Sequence, residues 1–307
     1  MAILVDARSG RPITLAARSL VGRSSACPVR VDDARASGEH ARIAWRGERW
    51  EVRDLGSRNG TFLRGARIAR GGAETITAGD ELAFGSPTAR FTLIDASPPV
   101  ALARRLDGDA VVTAADGLLA LPSGDEPTAC VFEDVERQWV LEIDGQARAT
   151  EDGEVIQVKG AAYMLHLPMP VASTIESRGQ VVESREVALR FRVSRDEERV
   201  EVAVEGPRGT EVLPPRAHHY ALLTLARARL ADDGDARLAE PSRGWLPVDD
   251  LCRMLAVDEN TLNVHIYRIR QDLAAVAIHN AAALIERRRG SRQIRLGTRR
   301  ITVTLLG

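Results

Sequence analysis

The chain has 307 residues, 44% of them hydrophobic, which leaves room for two or three domains that can each bury a core. Its 42 basic and 43 acidic residues nearly cancel, and Lys159 is the sole lysine, an arginine skew that reads as codon bias from a GC-rich genome. Three cysteines without C-x-x-C spacing, no apolar run near the roughly 18 residues of a membrane span, and only Ala2 to Val5 before Asp6 argue against a disulfide framework, a zinc site, a membrane anchor and a signal segment.

Residues 1–96 hold 15 Arg and 11 acidic groups, net +4. Their apolar-alternating runs at 28–31, 41–45 and 49–52 predict short antiparallel strands. Between and beside the runs lie three polar clusters: Gly22-Arg23-Ser24, Ser37-Gly38-Glu39-His40 and Gly56-Ser57-Arg58-Asn59-Gly60-Thr61. Clusters at strand ends belong on loops gathered at one edge of a β-sandwich, where binding residues concentrate. Arginine offers a fork of charged donors suited to phosphate oxygens, and Ser and Asn add neutral donors. Apart from His40 the set has no general base, and it has no metal-binding group, so it suits holding a phosphate rather than cleaving it.

At these residues the chain resembles the forkhead-associated (FHA) domain, a phosphothreonine-binding β-sandwich. The family's signature is Gly-Arg, then Ser-x-x-His, then Ser-x-Asn-Gly-Thr, and Ile68, the Ala78-Gly79-Asp80 turn and Leu82-Ala83-Phe84-Gly85 continue the pattern. The resemblance covers residues 2–95, and three spaced parts are far more specific than one. It implies a phosphothreonine site of Arg23, Ser24, Ser37, Gly38, Arg58 and Asn59, with Arg23 and Ser37 on the phosphate and Arg58 and Asn59 on the loop and peptide backbone. It makes His40 a buried brace. Gly38 departs from the family, which usually carries Arg or Asn there, and so removes one donor.

The stretch Asp95-Ala96-Ser97-Pro98-Pro99 reads as a linker. Residues 97–180 then form an acidic segment, net −8, with strand-like runs at 111–113, 129–132, 139–143, 155–158 and 163–167. Asp-Gly pairs at 107–108, 116–117, 144–145 and 152–153 are turn signals between them. Gln138-Trp139-Val140-Leu141 echoes Arg49-Trp50-Glu51-Val52 without any counterpart of the polar clusters. This is a small β module of unassigned function, read as a spacer that positions its neighbours.

From Glu186 the pattern changes. Runs at 187–193, 200–204 and 209–213 predict three more strands, closed by Pro214-Pro215, and helical patterns follow at 216–230, 247–255 and 259–276. In the last, Leu262, Ile266, Ile269 and Leu273 make one buried stripe. Residues 284–296 predict two strands around a basic Gly-Ser turn, and 284–307 hold seven Arg against Glu286 alone. Strands, three helices and a basic hairpin are the order of a winged helix, and 261–273 resembles the recognition helix of the winged-helix effector domain of bacterial response regulators. The resemblance spans about residues 186–303. At 100° per residue the face opposite the stripe carries Asn260, Asn263, Val264, Tyr267, Arg268 and Gln271, flanked by His265 and Arg270. Amides and guanidinium pair with base edges, while the wing's Arg287, Arg288, Arg289 and Arg292 suit phosphates. The family's wing ends in Gly-x-Gly-Tyr, where this chain has Gly290-Ser291-Arg292-Gln293.

The expected architecture is therefore multidomain and mostly β with an α+β C-terminus: an FHA sandwich at 1–96, the acidic module at 97–180 and a winged helix-turn-helix at 181–307. No phosphate-cradling Gly-rich loop, no Ser-x-Gly elbow and no ligand spacing among the six histidines (40, 166, 218, 219, 265, 279) appears, so no enzyme, cofactor or metal site is expected. The reading is a cytoplasmic bacterial signalling protein with no membrane partner. It couples a threonine-phosphorylated partner, written by a Ser/Thr kinase, to double-stranded DNA and transcription. The competing reading is a phosphopeptide adaptor whose winged helix binds protein.

Overall fold

The computed structural model describes residues 1–124, 126–169, 187–206, 209–276 and 281–306. The boundary expected at 180/181, the start at Glu186 and His279 lie outside the described residues. Two compact units emerge: Met1–Arg104 with Met164–Val171, and Arg105–Tyr163 with Ala172–Gly307. Most of the acidic module thus belongs to one unit with the C-terminal helices rather than standing as a separate spacer.

The first unit contains β1 (Ile3–Asp6), β2 (Pro12–Thr14), β3 (Arg18–Gly22), β4 (Val29–Arg30), β5 (Ala41–Trp45), β6 (Trp50–Asp54), β7 (Thr61–Leu63), β8 (Ala66–Arg67), β9 (Ala73–Ile76), β10 (Glu81–Phe84) and β11 (Arg90–Asp95). They form a six-stranded sheet, β2-β1-β11-β10-β7-β8, and a five-stranded sheet, β4-β3-β5-β6-β9. Alternation drives this: every second residue of β6 is buried, so Trp50, Val52 and Asp54 face inward. Leu4, Phe84 and Leu93 of one sheet and Ile43, Trp50 and Val52 of the other share a single core, which makes the pair a sandwich. Register then gathers the polar clusters. Ala41 pairs with both Val21 and Asp54, so the chain leaves β3 at Gly22, enters β5 after His40 and leaves β6 at Asp54, all at one sheet end.

Next come β12 (Leu102–Arg105), β13 (Val111–Thr113), β14 (Leu119–Leu121), β15 (Ala129–Glu133), β16 (Trp139–Ile143), β17 (Gln146–Ala149), β18 (Val155–Val158) and β19 (Ala161–His166). In the second unit β14-β15-β16-β17 form an antiparallel sheet. Its β16–β17 hairpin turns on Asp144-Gly145 with φ of 48° and 76°, the left-handed pair that Asp-Gly spells in a two-residue loop. The same unit contains β20 (Ala188–Val193), β21 (Val200–Gly206), β22 (Gly209–Val212), α1 (His219–Asp233), β23 (Leu246–Pro247), α2 (Val248–Leu255), α3 (Glu259–Ala275), β24 (Ile285–Arg287), β25 (Gln293–Leu296) and β26 (Arg300–Leu305). One sheet runs β22-β21-β20-β26 with β26 parallel to β20, and a smaller one runs β23-β25-β24.

The first of these helices, α1, starts at His219, later than the pattern predicted, and is closed by Gly234; the rings of His218 and His219 at its beginning turn to Asp272 of α3. At the start of α3, Asp258 caps the helix by accepting the Thr261 amide at 2.7 Å. Its stripe of Leu262, Ile266, Ile269 and Leu273 is fully buried in a core shared with Phe191, Leu222 and Ile294. Among the described residues, no helix is long and apolar enough to cross a membrane.

Deleting a buried branched side chain from this stripe leaves a cavity in addition to the lost transfer energy. Ile266→Ala is expected to destabilise the second unit by roughly 2–5 kcal/mol. Gln271→Ala, on the exposed side of the same helix, should stay within about 0.5 kcal/mol. Urea unfolding of both variants, followed by circular dichroism, measures the difference.

Candidate functional site

The three polar clusters meet as loops laced to one another. Gly22 lies so close to the next loop that a Cβ there would stand 2.1 Å from the Gly38 carbonyl oxygen, so no larger residue fits without moving backbone. The Arg23 amide donates to the Ser37 carbonyl at 2.9 Å and the Ser24 amide to that of Gly38 at 3.1 Å. His40 is completely buried and clasps two loops at once. Its Nδ1 accepts the Ser37 amide at 3.0 Å, which leaves Nε2–H to donate to the Gly60 carbonyl at 3.1 Å. Burial holds the imidazole below its usual pKa, consistent with a neutral ring using both nitrogens.

The 54–61 loop is wound around a residue that the sequence reading did not single out. One Asp54 oxygen accepts the Gly56 and Ser57 amides at 2.8 and 3.0 Å, and the other accepts the Ser57 and Thr61 hydroxyls at 2.6 and 2.8 Å. Burial alone would raise its pKa, but these hydrogen bonds outweigh burial and hold the carboxyl at about 2. The loop so fixed sends Asn59 Nδ2 to the Arg35 carbonyl at 2.8 Å and brings the Arg58 amide to 3.5 Å from Ser37 Oγ.

What remains outward is a small cationic cradle. Arg23 is exposed, and among the described residues its side chain is tethered through Nε, which donates to the Ala36 carbonyl at 3.3 Å. Among the described residues neither it nor Arg58 forms an ion pair. Ser24 and Ser37 are half-buried beside them, and Gly38 and Asn59 are exposed. The six residues expected to form one site therefore occupy one loop cluster. Gly38 has ordinary φ and open space where a Cβ would go, so its glycine is not demanded by the backbone.

The outward face expected of α3 requires correction. Asn260 and Gln271 are exposed, and Val264, His265 and Arg268 are half-buried, but Arg270 is wholly buried. Its guanidinium donates to Glu142 Oε2 at 2.8 Å and to the Ile285 carbonyl at 3.0 Å, and lies 4.3 Å over the Phe132 ring. The Arg287 side chain, 3% exposed, ion-pairs with the other Glu142 oxygen at 3.0 Å and donates to Asn263 Oδ1 at 2.7 Å. Tyr267 packs against a cluster containing Phe132 and Val140. The cause is the β14–β17 sheet, which lies against this face; nothing in the helical pattern of α3 names that neighbour. At the turn between β24 and β25, Arg289 pairs with Asp134 at 3.5 Å and Arg292 with Asp249 and Glu259, while Arg288 stays exposed near Trp245.

Histidines without ligand spacing along the chain are nonetheless brought together in the fold. His218 and His219 place Nε2 at 2.6 and 3.0 Å from one Asp272 oxygen. Burial opposes the charge there, but the two imidazoles hold the Asp272 carboxyl well below the usual carboxylate range. Hydrogen bonds that fasten α1 to α3 account for this group.

Comparison with known proteins bears on the N-terminal loops. Residues 20–85 match the FHA domain family. The FHA domain-containing protein FhaB of Mycobacterium tuberculosis is 39% identical over 69 residues, 22% of this chain and 44% of that protein, so the chain spans less than half the length of this curated relative. Mycobacterium tuberculosis EmbR, solved with a low-affinity phosphopeptide, is similar at 32% identity and a TM-score of 0.29 over 32% of this chain and 25% of its own. The FhaA FHA domain is similar at 25% identity and a TM-score of 0.28, over 30% of this chain and 99% of that one.

The buried brace makes a pH prediction. Because folding depresses the His40 pKa, its contribution is fully present above the unfolded value of about 6.5 and is lost as pH falls, when only the unfolded chain takes the proton. Unfolding free energy followed through the Trp45 and Trp50 region should therefore decline from pH 7 to 5, and His40→Asn should flatten the slope. An unchanged slope would assign the decline to other groups. The signature residues, their loop geometry and the family match agree: residues 20–85 of this chain form an FHA domain.

Proposed function

We propose that the protein is a phosphothreonine-reading signalling protein whose N-terminal cradle receives a partner phosphorylated by a Ser/Thr kinase and whose C-terminal unit binds double-stranded DNA as a winged helix. One observation carries the first half: the exposed Arg23 guanidinium stands with no ion-pair partner among the described residues, and its backbone is bonded to Ser37, whose own amide His40 holds in place. Three loops fixed by Asp54 and His40 present these donors at little ordering cost on binding, which is how preorganisation favours a phosphate. FHA domains are phosphopeptide-binding modules, and the EmbR relative was solved with such a peptide. Arg23, Ser37 and the open position at Gly38 line the phosphate; Ser24, Arg58 and Asn59 flank it and meet the peptide.

For the second half, support comes from the order of elements from β20 to β26, with three helices before a hairpin, and from Asn260, Val264, Arg268, Gln271 and Arg288, which solvent reaches on α3 and the wing. The adaptor reading also has an observation in its favour, since Arg270 and Arg287 already serve protein contacts. Duplex binding separates the two. A DNA-binding winged helix should lose affinity steeply in fluorescence anisotropy as salt rises. Absence of binding at low salt, both in the unaltered chain and in a variant that frees Arg270 and Arg287 from Glu142, would select the adaptor.

Two substitutions test the cradle by calorimetry. Arg23→Ala should weaken binding of a phosphothreonine peptide by on the order of 1.5–3 kcal/mol, the worth of a charge-assisted contact. Gly38→Arg places a second fork in open space and should tighten the same peptide severalfold while leaving the unphosphorylated peptide unbound. Equal affinity for phosphorylated and bare peptides in the unaltered protein would end the phosphate assignment.

A further inference from the structure

The face that α3 turns to β14–β17 is the one on which a winged helix would meet nucleic acid, and what lies there is acidic. Residues 105–163 carry 13 carboxylates against four cations, whereas 259–300 carry nine Arg against three carboxylates. The opposite charges meet at specific atoms. Glu142 takes Arg270 on one oxygen and Arg287 on the other, and Asp134 at the rim takes Arg289. At the hairpin tip, Gly145 approaches so closely that a Cβ there would stand 2.7 Å from Asn263 Oδ1. Phosphate and carboxylate oxygens satisfy a guanidinium in the same way.

Resting on the winged-helix reading above, we propose that residues 105–163 are a built-in competitor for DNA. Their carboxylates occupy the guanidiniums of α3 and the β24–β25 hairpin, and a duplex binds only when this segment lifts away.

The chemistry of the seam suits a cover that can open. Two guanidiniums share one buried carboxylate, so the cluster carries net positive charge in a setting where charge is costly. An apolar seam would be the more stable way to join two permanent layers, and a polyanion cannot compete for it. A charged seam can be contested, because the phosphates of a duplex offer the same guanidiniums more negative charge than one glutamate does. The apolar part, Tyr267 and Ala274 against Phe132 and Val140, guides reclosure.

The test uses the full chain and a random duplex at low salt. In one protein, Gly145→Cys with Asn263→Cys puts two thiols across the seam, so oxidation locks the cover and a reductant frees it without changing the polypeptide. Reduced protein is expected to bind the duplex at least tenfold more tightly than the oxidised form. Glu142→Gln keeps the shape and removes the shared charge; it should bind at least tenfold more tightly than the unaltered protein and speed amide exchange in α3. Should Glu142→Gln fail to fold, the lock decides alone. Equal affinities of the oxidised and reduced forms would overturn the cover and leave DNA binding standing. No duplex binding by any form, with α3 exchange still accelerated in Glu142→Gln, would instead reject the DNA reading and the competitor role with it.

Discussion

A single buried carboxylate organises the C-terminal unit. Glu142 stands on β16, in the middle of an otherwise apolar strand, and is reached by Arg270 from α3 and Arg287 from β24. Burial resists its ionisation, but the two guanidiniums outweigh that and keep its pKa below the ordinary value. Removing one partner would strand charge in a low-dielectric setting, so helix, hairpin and β module hold their positions together. This also explains why the module belongs to the same unit as the helices instead of hanging between two domains as a spacer.

The sandwich shows the same economy with hydrogen bonds in place of ion pairs. Asp54 accepts four hydrogen bonds within the 54–61 loop, and His40 uses both ring nitrogens to tie that loop to 37–40. Both groups are buried beneath the loops they hold. They consume the local polar groups that could otherwise let the loops collapse onto Arg23, whose fork stays open. Rigidity beneath and free donors above are what a phosphate site asks of its scaffold.

Each unit treats its arginines in two ways. Among the described residues Arg23 and Arg58 form no ion pair while Arg64 of the same sandwich pairs with Asp80, and Arg288 forms none while Arg270, Arg287, Arg289 and Arg292 of the C-terminal unit each have a carboxylate. An arginine-rich composition carries no such distinction. It arises from which acidic residues each fold brings within reach.

Local pattern along the chain specifies the sandwich, its three polar loops and the buried stripe of α3. Those features are local: alternation sets which side of a strand is apolar, Asp-Gly at 144–145 spells a tight hairpin, and the spacing of Leu262, Ile266, Ile269 and Leu273 defines one helix face. The elements β14, β17 and β26 were not legible. The last of these pairs in parallel with β20, Ala188 opposite Arg300, and is mostly exposed, so its stability comes from a distant partner rather than its own pattern. Contacts between distant elements set the rest: Asp54 winds the 54–61 loop, His218 and His219 converge on Asp272, and the outward side of α3 is partly covered. Helical periodicity fixes a residue's angle about its own axis but not what packs there. Arg270 sits on the flank where the helix geometry placed it, and Glu142, far away in sequence, made that flank an interior.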